Sequence, residues 1–147
     1  MKLIKKSIEI AAPKEKIWDV LLQDHYGRIW MGIFSPGSHA ITDWELGSKV
    51  TFTDGSSNGG VFGRIIIKEP HKIISIEYDG ILHDGKEDKE SEQAKPWIGT
   101  HETYRLSDKG DKTLLEIEVD ITDDFYEMMS EQWDKALLKI EELAIGA

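Results

Sequence analysis

The sequence contains no cysteine, only four prolines, few basic residues and no long apolar run. Each shortage removes a class of function. Without cysteine there is no disulfide scaffold, no thiolate metal site and no cysteine nucleophile. Lys and Arg number 18 against 28 Asp and Glu, a formal net charge of −10. That balance excludes nucleic acid, whose binding draws on basic side chains placed against phosphates, and disfavours an anionic membrane surface. No stretch approaches the roughly 18 apolar residues that a membrane span needs. Lys5, Lys6 and Glu9 interrupt the apolar residues of the first segment, so no secretory signal is expected and a cytoplasmic location is. The five histidines are scattered with no HxxxH or HExxH pair, so neither a metal site nor another cofactor is expected.

What is present is the patterning of one α+β domain over residues 1–147, a length at which a chain buries roughly 68–70% of its unfolded surface. Ile4, Ile8 and Ile10 alternate with polar residues, interrupted by Lys6, which predicts a half-buried strand. Ala11-Ala12-Pro13 ends it and Pro13 suits the first helical position. A helix follows, with Ile17, Trp18, Leu21 and Leu22 on one face. A second helix is predicted from Asp24 to Phe34, with Ile29, Trp30 and Ile33 on one side. The period then changes to 2, and strands are predicted over Lys49–Asp54, Val61–Lys68 and Lys72–Asp79, joined by turn formers that make antiparallel neighbours.

Residues 84–95 carry five acidic and three basic residues and read as a solvated loop or mobile lid. A hairpin of Gly99–Leu106 and Lys112–Ile121 precedes a long amphipathic helix. Asp124 and Glu127 have the spacing of a cap pair. Phe125, Met129, Trp133, Ala136, Ile140 and Leu143 form the helix's apolar stripe, with Leu138 as the outlier.

Two features point toward a site. Tyr104 and Leu106 belong on the apolar face of their strand, so parity places Glu102 there too. A carboxylate aimed into a core is costly without a partner or a wet cavity. The plainer readings are a position at the open rim or a bulge that resets parity; the alternative is a functional inward carboxylate. An acid/base dyad of His101 with Glu102 is excluded, because adjacent strand residues face opposite ways. The second feature is a set of large side chains, Trp30, Phe52, Phe62, Tyr78, Trp97, Tyr104, Met128, Met129 and Trp133, on elements that must enclose one space between the sheet and the last helix. With Glu102 in place of Phe62, these are the candidate ligand-binding residues; no catalytic residue is assigned.

The run Ile8-Glu9-Ile10-Ala11-Ala12-Pro13-Lys14-Glu15-Lys16-Ile17-Trp18-Asp19-Val20-Leu21 resembles the strand-to-helix opening of the SRPBCC or START-like superfamily. Gly47 with Val50 and Phe52, Gly63 through Pro70 leading to Tyr78, and the closing Gln132-Trp133-Asp134-Lys135-Ala136-Leu137 resemble the bacterial single-domain homologues of the activator of the ninety-kilodalton heat-shock-protein ATPase. The resemblance implies a helix-grip fold, START-like or Bet v-like: a curved antiparallel sheet around a long C-terminal helix, with an apolar cavity between them. Relatives bind lipids, sterols, polyketides or plant hormones, and a few are enzymes. This chain departs from the pattern at Glu102, at Gln132 and in the charged loop 83–98, and the first two could give the cavity a polar spot.

The expected function is therefore binding of a small hydrophobic or aromatic ligand, lipid-like or polyketide-like, by a monomer. A chaperone or client protein is the alternative partner, ranked second because these residues hold no counterpart of the eukaryotic activator's separate N-terminal domain. An enzyme of cyclase or hydrolase type using Glu102 is third. Residues 116–147 hold ten acidic and two basic residues, so the negative charge belongs mainly to the outer side of the last strand and the solvent face of the last helix.

Overall fold

The computed structural model describes residues 1–146. A strand, β1 (Lys2–Ile10), leads into α1 (Lys14–Leu22) and α2 (Asp24–Met31). Then come β2 (His39–Ile41), β3 (Lys49–Thr53), β4 (Gly60–Glu69), β5 (Ile73–His83), β6 (Lys86–Asp88), β7 (His101–Lys109) and β8 (Lys112–Ile121), and α3 (Tyr126–Ile145) closes the chain. The strands form one antiparallel sheet in the order β1-β8-β7-β5-β4-β3-β2, with β6 paired to the far end of β5. This is the helix-grip arrangement that the resemblance implies. No helix among the described residues is long and apolar enough to cross a membrane.

The two faces of the sheet follow from strand parity. Leu115, Ile117, Val119 and Ile121 of β8 are all buried, while Glu116, Glu118 and Asp120 alternate with them at intermediate exposure. Lys6, the break in the β1 pattern, reaches across to α3 and pairs with Asp134 at 2.7 Å. The sheet bends where side chains are missing. Gly63 of β4 pairs with Tyr78 beside a register shift, and a Cβ there would overlap the Glu77 carbonyl. A Cβ at Gly80 would likewise overlap the Asp88 carbonyl, so β6 can lie against β5 only because position 80 has none.

Several local expectations are corrected. Pro13 is not the first residue of α1 but its extended N-cap, with ψ 150; the Ala12 carbonyl just before it is engaged by the Thr113 hydroxyl at 2.8 Å. Within α1, Val20 joins Ile17, Trp18 and Leu21 in the core, and Leu22 is only half-buried. Helix α2 stops at Met31, and Ile33 and Phe34 continue as turns bonded to the carbonyls of Trp30 and Met31. Its buried residues are Gly27, Trp30 and Met31, whereas Ile29 is exposed. The Asp124–Glu127 cap pair does not form. A single tight helical turn, Asp123–Phe125, enters α3, and Phe125 at the cap position makes no side-chain cap bond. Phe125 is consequently exposed, and Leu137 takes a place in the buried stripe with Trp133, Ala136 and Ile140. Leu138 faces solvent as expected.

The charged segment 84–95 is neither wholly loop nor free lid. It contains β6, an Asp88-capped turn through Ser91, and the fully buried Ala94, before the tight turn Lys95–Trp97. Phe62, expected to face the enclosed space, lies on the opposite face of the sheet. It is buried against Gly80 beneath the ammonium groups of Lys49 and Lys89, 5.9 and 5.7 Å from its ring.

Candidate functional site

Between the sheet and the helices lies a cavity of about 340 Å³. Trp30 of α2, Phe52 of β3, Tyr78 of β5, Glu102 of β7, and Met129 and Trp133 of α3 line it, together with Trp97 from the segment between β6 and β7. Trp97 arrives there because backbone bonds seat its segment on β5: Tyr78 donates to the Thr100 carbonyl at 2.8 Å, and Gly99 donates to the Tyr78 carbonyl at 2.9 Å. Two of the expected residues do not line the cavity. Met128 is half exposed on α3, one residue round the helix from Met129, so it points away from the sheet. Tyr104 is buried behind Glu102 and acts on the cavity through it.

Aromatic rings divide the lining into two groups. Trp133 packs on Trp30, Phe34 and Tyr104 at centroid distances of 6.0, 4.9 and 6.1 Å. Tyr78 packs edge-on against Phe52 and Trp97, both at 6.3 Å. Such pairs contribute about 0.5–1.5 kcal/mol each beyond the area they bury. Glu102 joins the two groups. The Tyr78 hydroxyl donates to its Oε1 at 2.8 Å, and the Tyr104 hydroxyl donates to its Oε2.

Strand register explains why the carboxylate points inward. Glu102 is paired with Ile76 on one side and Val119 on the other, and these continue to Ile65 and Ile4. Every other member of that row is a buried aliphatic. The bulge reading of Glu102 is therefore overturned, since β7 keeps an unbroken register to both neighbours from Glu102 through Arg105. The side chain faces inward near the end of the strand and stays partly exposed where the cavity opens. Burial pushes the Glu102 carboxyl above the ordinary value of 4.5, opposed by the two tyrosine hydrogen bonds, which favour the charged form. Burial, and then the charge of Glu102, push both tyrosines well above the ordinary phenol value, so both stay protonated and donate. His101, next in sequence, is on the outer face beside Glu77 and Asp120, at 3.3 and 3.9 Å.

Gln132 does not supply a polar spot. Its amide nitrogen donates to the Phe34 carbonyl at 3.4 Å and it is not part of the lining. Sequence reasoning missed Phe34 and the residues of the mouth, among them Ser38, His39 and Asp54. Two glycine turns meet there: Gly55 donates to the Pro36 carbonyl at 3.2 Å, and the backbones of Gly37 and Gly55 touch too closely for a side chain. The available signal was the pair of turn-former clusters at 35–37 and 54–60, but nothing in either indicates that they face one another. No cluster of His, Asp or Glu among the described residues could hold a metal ion.

A curved sheet closed on a long C-terminal helix around an aromatic-lined cavity defines a helix-grip protein of the START-like class. The chain belongs to the family of Activator of Hsp90 ATPase homolog 1-like proteins, whose sequence profile matches residues 11–144. Comparison with curated proteins gives no match. Among solved structures, the solution structure of the Aha1 dimer from Colwellia psychrerythraea is similar, with 21% identity, a TM-score of 0.72, and coverage of 99% of this chain and 98% of that one. Protein MLL2253 from Mesorhizobium loti is similar at 17% identity and a TM-score of 0.73, covering 97% and 96%. DynU16, described as a protein of the dynemicin biosynthetic locus, is similar at 11% identity and a TM-score of 0.70, over 97% of this chain and 46% of that one.

Proposed function

We propose that this protein binds a small hydrophobic or aromatic molecule, lipid-like or polyketide-like in shape, between the sheet and α3, with Glu102 as the group that orients it. The observation carrying this reading is the inward carboxyl group: a half-buried Glu102 held by two phenols on the wall of an apolar cavity. Packing alone does not favour such a group, because an aliphatic residue in the same row would be cheaper to bury. The cavity falls in the size range of small-molecule sites, about 300–1,000 Å³, and has their usual composition of apolar walls with few polar groups. The similarity to DynU16 agrees with this reading at the level of fold.

The test is titration with a neutral apolar fluorophore, N-phenyl-1-naphthylamine, followed by methyl and indole NMR. Saturable binding that shifts Met129 and Trp133 while leaving Met128 unmoved is the expected result. Absence of saturable binding, or shifts confined to Met128 and the outer face, would refute it.

A second reading, a protein-interaction module acting on a chaperone or client, is favoured by the family's description and by the exposed acids Glu127, Glu131 and Glu142 on α3. Capture of the purified cognate chaperone that weakens with salt would support it; no capture at low ionic strength would count against it.

A further inference from the structure

The charge inventory of the cavity is one-sided. Its titratable lining residues are Glu102 and Tyr78, with Asp54 and His39 at the mouth, and no Lys or Arg lines it. Asp54 accepts bonds from the Ser56 backbone and hydroxyl, which hold its carboxyl below the ordinary value and therefore ionised. Glu102 has two partners, but both are neutral phenols, and among the described residues no basic side chain forms an ion pair with it. A carboxylate has about four acceptor sites, so two donors leave acceptor capacity open on the side that faces the cavity. Six aromatic side chains, Trp30, Phe34, Phe52, Tyr78, Trp97 and Trp133, are part of the wall, and the face of an aromatic ring attracts cations.

We infer that the cavity selects organic cations, small aromatic or alicyclic amines whose ammonium group pairs with the Glu102 carboxylate, and rejects ligands that end in a carboxylate. This inference rests on the ligand-binding reading and names the class of ligand that the same site takes. Tyr78 and Tyr104 are positioning residues: they fix the carboxylate between the two aromatic groups so that its open side meets the ligand. The indole nitrogen of Trp133 is buried without a partner and has no accessible surface, so it offers no competing contact for an anion.

Affinity for an amine should fall as pH drops through the raised Glu102 value, because the ammonium stays charged while the carboxylate is lost. The elements packed around Glu102 supply no other titrating group in that range. Tyr78 and Tyr104 stay protonated, β8 offers Val119, and α2 and α3 offer Trp30, Met129 and Trp133. Asp54 and His39 at the mouth are the remaining titratable lining residues, and an Asp54→Asn variant separates the contribution of that nearer carboxylate.

A matched series decides the matter: 2-(1-naphthyl)ethylamine, 2-(1-naphthyl)ethanol and 1-naphthylacetate, each competing against N-phenyl-1-naphthylamine on the intact protein at neutral pH. The amine should bind about tenfold or more tighter than the alcohol, the increment of a charge-assisted bond, and the acid weaker than both. Glu102→Gln should abolish the amine's advantage, lowering the amine's affinity by about tenfold or more and the alcohol's by clearly less. A general field effect cannot imitate that result, since the variant changes one charge in a protein of net charge −10. If Glu102→Gln does not fold, the pH dependence of the wild-type amine affinity takes its place. An amine no tighter than the alcohol, an acid that binds best, or an amine advantage independent of pH overturns the inference while leaving the ligand-binding reading standing. Failure of the neutral fluorophore to bind overturns both.

Discussion

Strands β5, β7 and β8 are neighbours in the sheet; β5 and β8 carry their acids on the outer face, β7 turns Glu102 inward, and the two faces treat their acids differently. Outside, Glu77 meets Arg64 at 2.8 Å and His101 at 3.3 Å, Glu118 meets Arg105 at 2.6 Å, and Asp120 accepts the His101 backbone N–H at 2.9 Å. Water reaches all of these groups, so each pair contributes little, about 0–1 kcal/mol, and the set maintains solubility. Inside, Glu102 sits in a row of aliphatics and has two hydroxyl donors but no cation. Counting charges along the chain therefore says little, whereas locating the acid that a strand turns inward among aliphatics, without a counter-charge, says where ligand chemistry would be concentrated.

Substitutions can break or sharpen this contrast. The largest effect is expected from Trp133→Ala, which removes the ring that packs on Trp30, Phe34 and Tyr104 in a nearly sealed site. A loss of about 3–5 kcal/mol in urea unfolding is expected; a loss below about 1 kcal/mol would show that the inner wall collapses readily and carries little stability.

Tyr104→Phe should cost about 1–2 kcal/mol near neutral pH, because Glu102 loses one of two donors. The cost should shrink on acidification, since the bond favours the charged carboxylate, and unfolding curves at two pH values measure it. A cost independent of pH would mean that the phenol contributes only through packing.

Glu102→Gln should act in the opposite direction and raise stability by about 1 kcal/mol near neutral pH. The sign follows from burial, which raises the folded-state value above the unfolded one. The proton-linked stability of the wild type is thus fully present below the ordinary glutamic acid value and is lost as pH rises through the folded-state value. Thermal melts across that window should show the variant's advantage disappearing toward acid. The smallest effect belongs to the outer face, where Arg105→Gln should change stability by no more than about 0.5 kcal/mol, less in high salt.

Much of the fold was legible because burial imposes periodicity. β8 alternates without a break, and the α3 stripe through Trp133, Ala136 and Ile140 repeats at helical spacing, so both could be placed from side chains alone. The strands β2 and β6 were not legible. With three residues each, neither supports a period, and β6 depends on Gly80 admitting the Asp88 carbonyl from a distant part of the sequence. The run Ile65-Ile66-Ile67 cannot all face inward, and the register shift between Ile65 and Ile67 leaves Ile67 exposed.

At the site, parity placed Glu102 on the inner face, as the structure does, but the choice between a bulge and a regular strand depended on two cross-strand neighbours that no local pattern names. Met128 and Met129 differ by one helical step, about 100°, and that step sends one to solvent and the other to the cavity. Phe34 escaped because it follows the end of α2, where helical spacing no longer predicts direction.

The inward, uncompensated carboxylate is the central claim, and a carbon-13 NMR titration of the side-chain carboxyls, with Glu102 identified by its absence in Glu102→Gln, tests it most directly. A Glu102 midpoint above the ordinary value of 4.5 is predicted, because burial outweighs the two tyrosine bonds. A midpoint at or below that value would place the carboxylate in water or beside a cation, and would contradict the account.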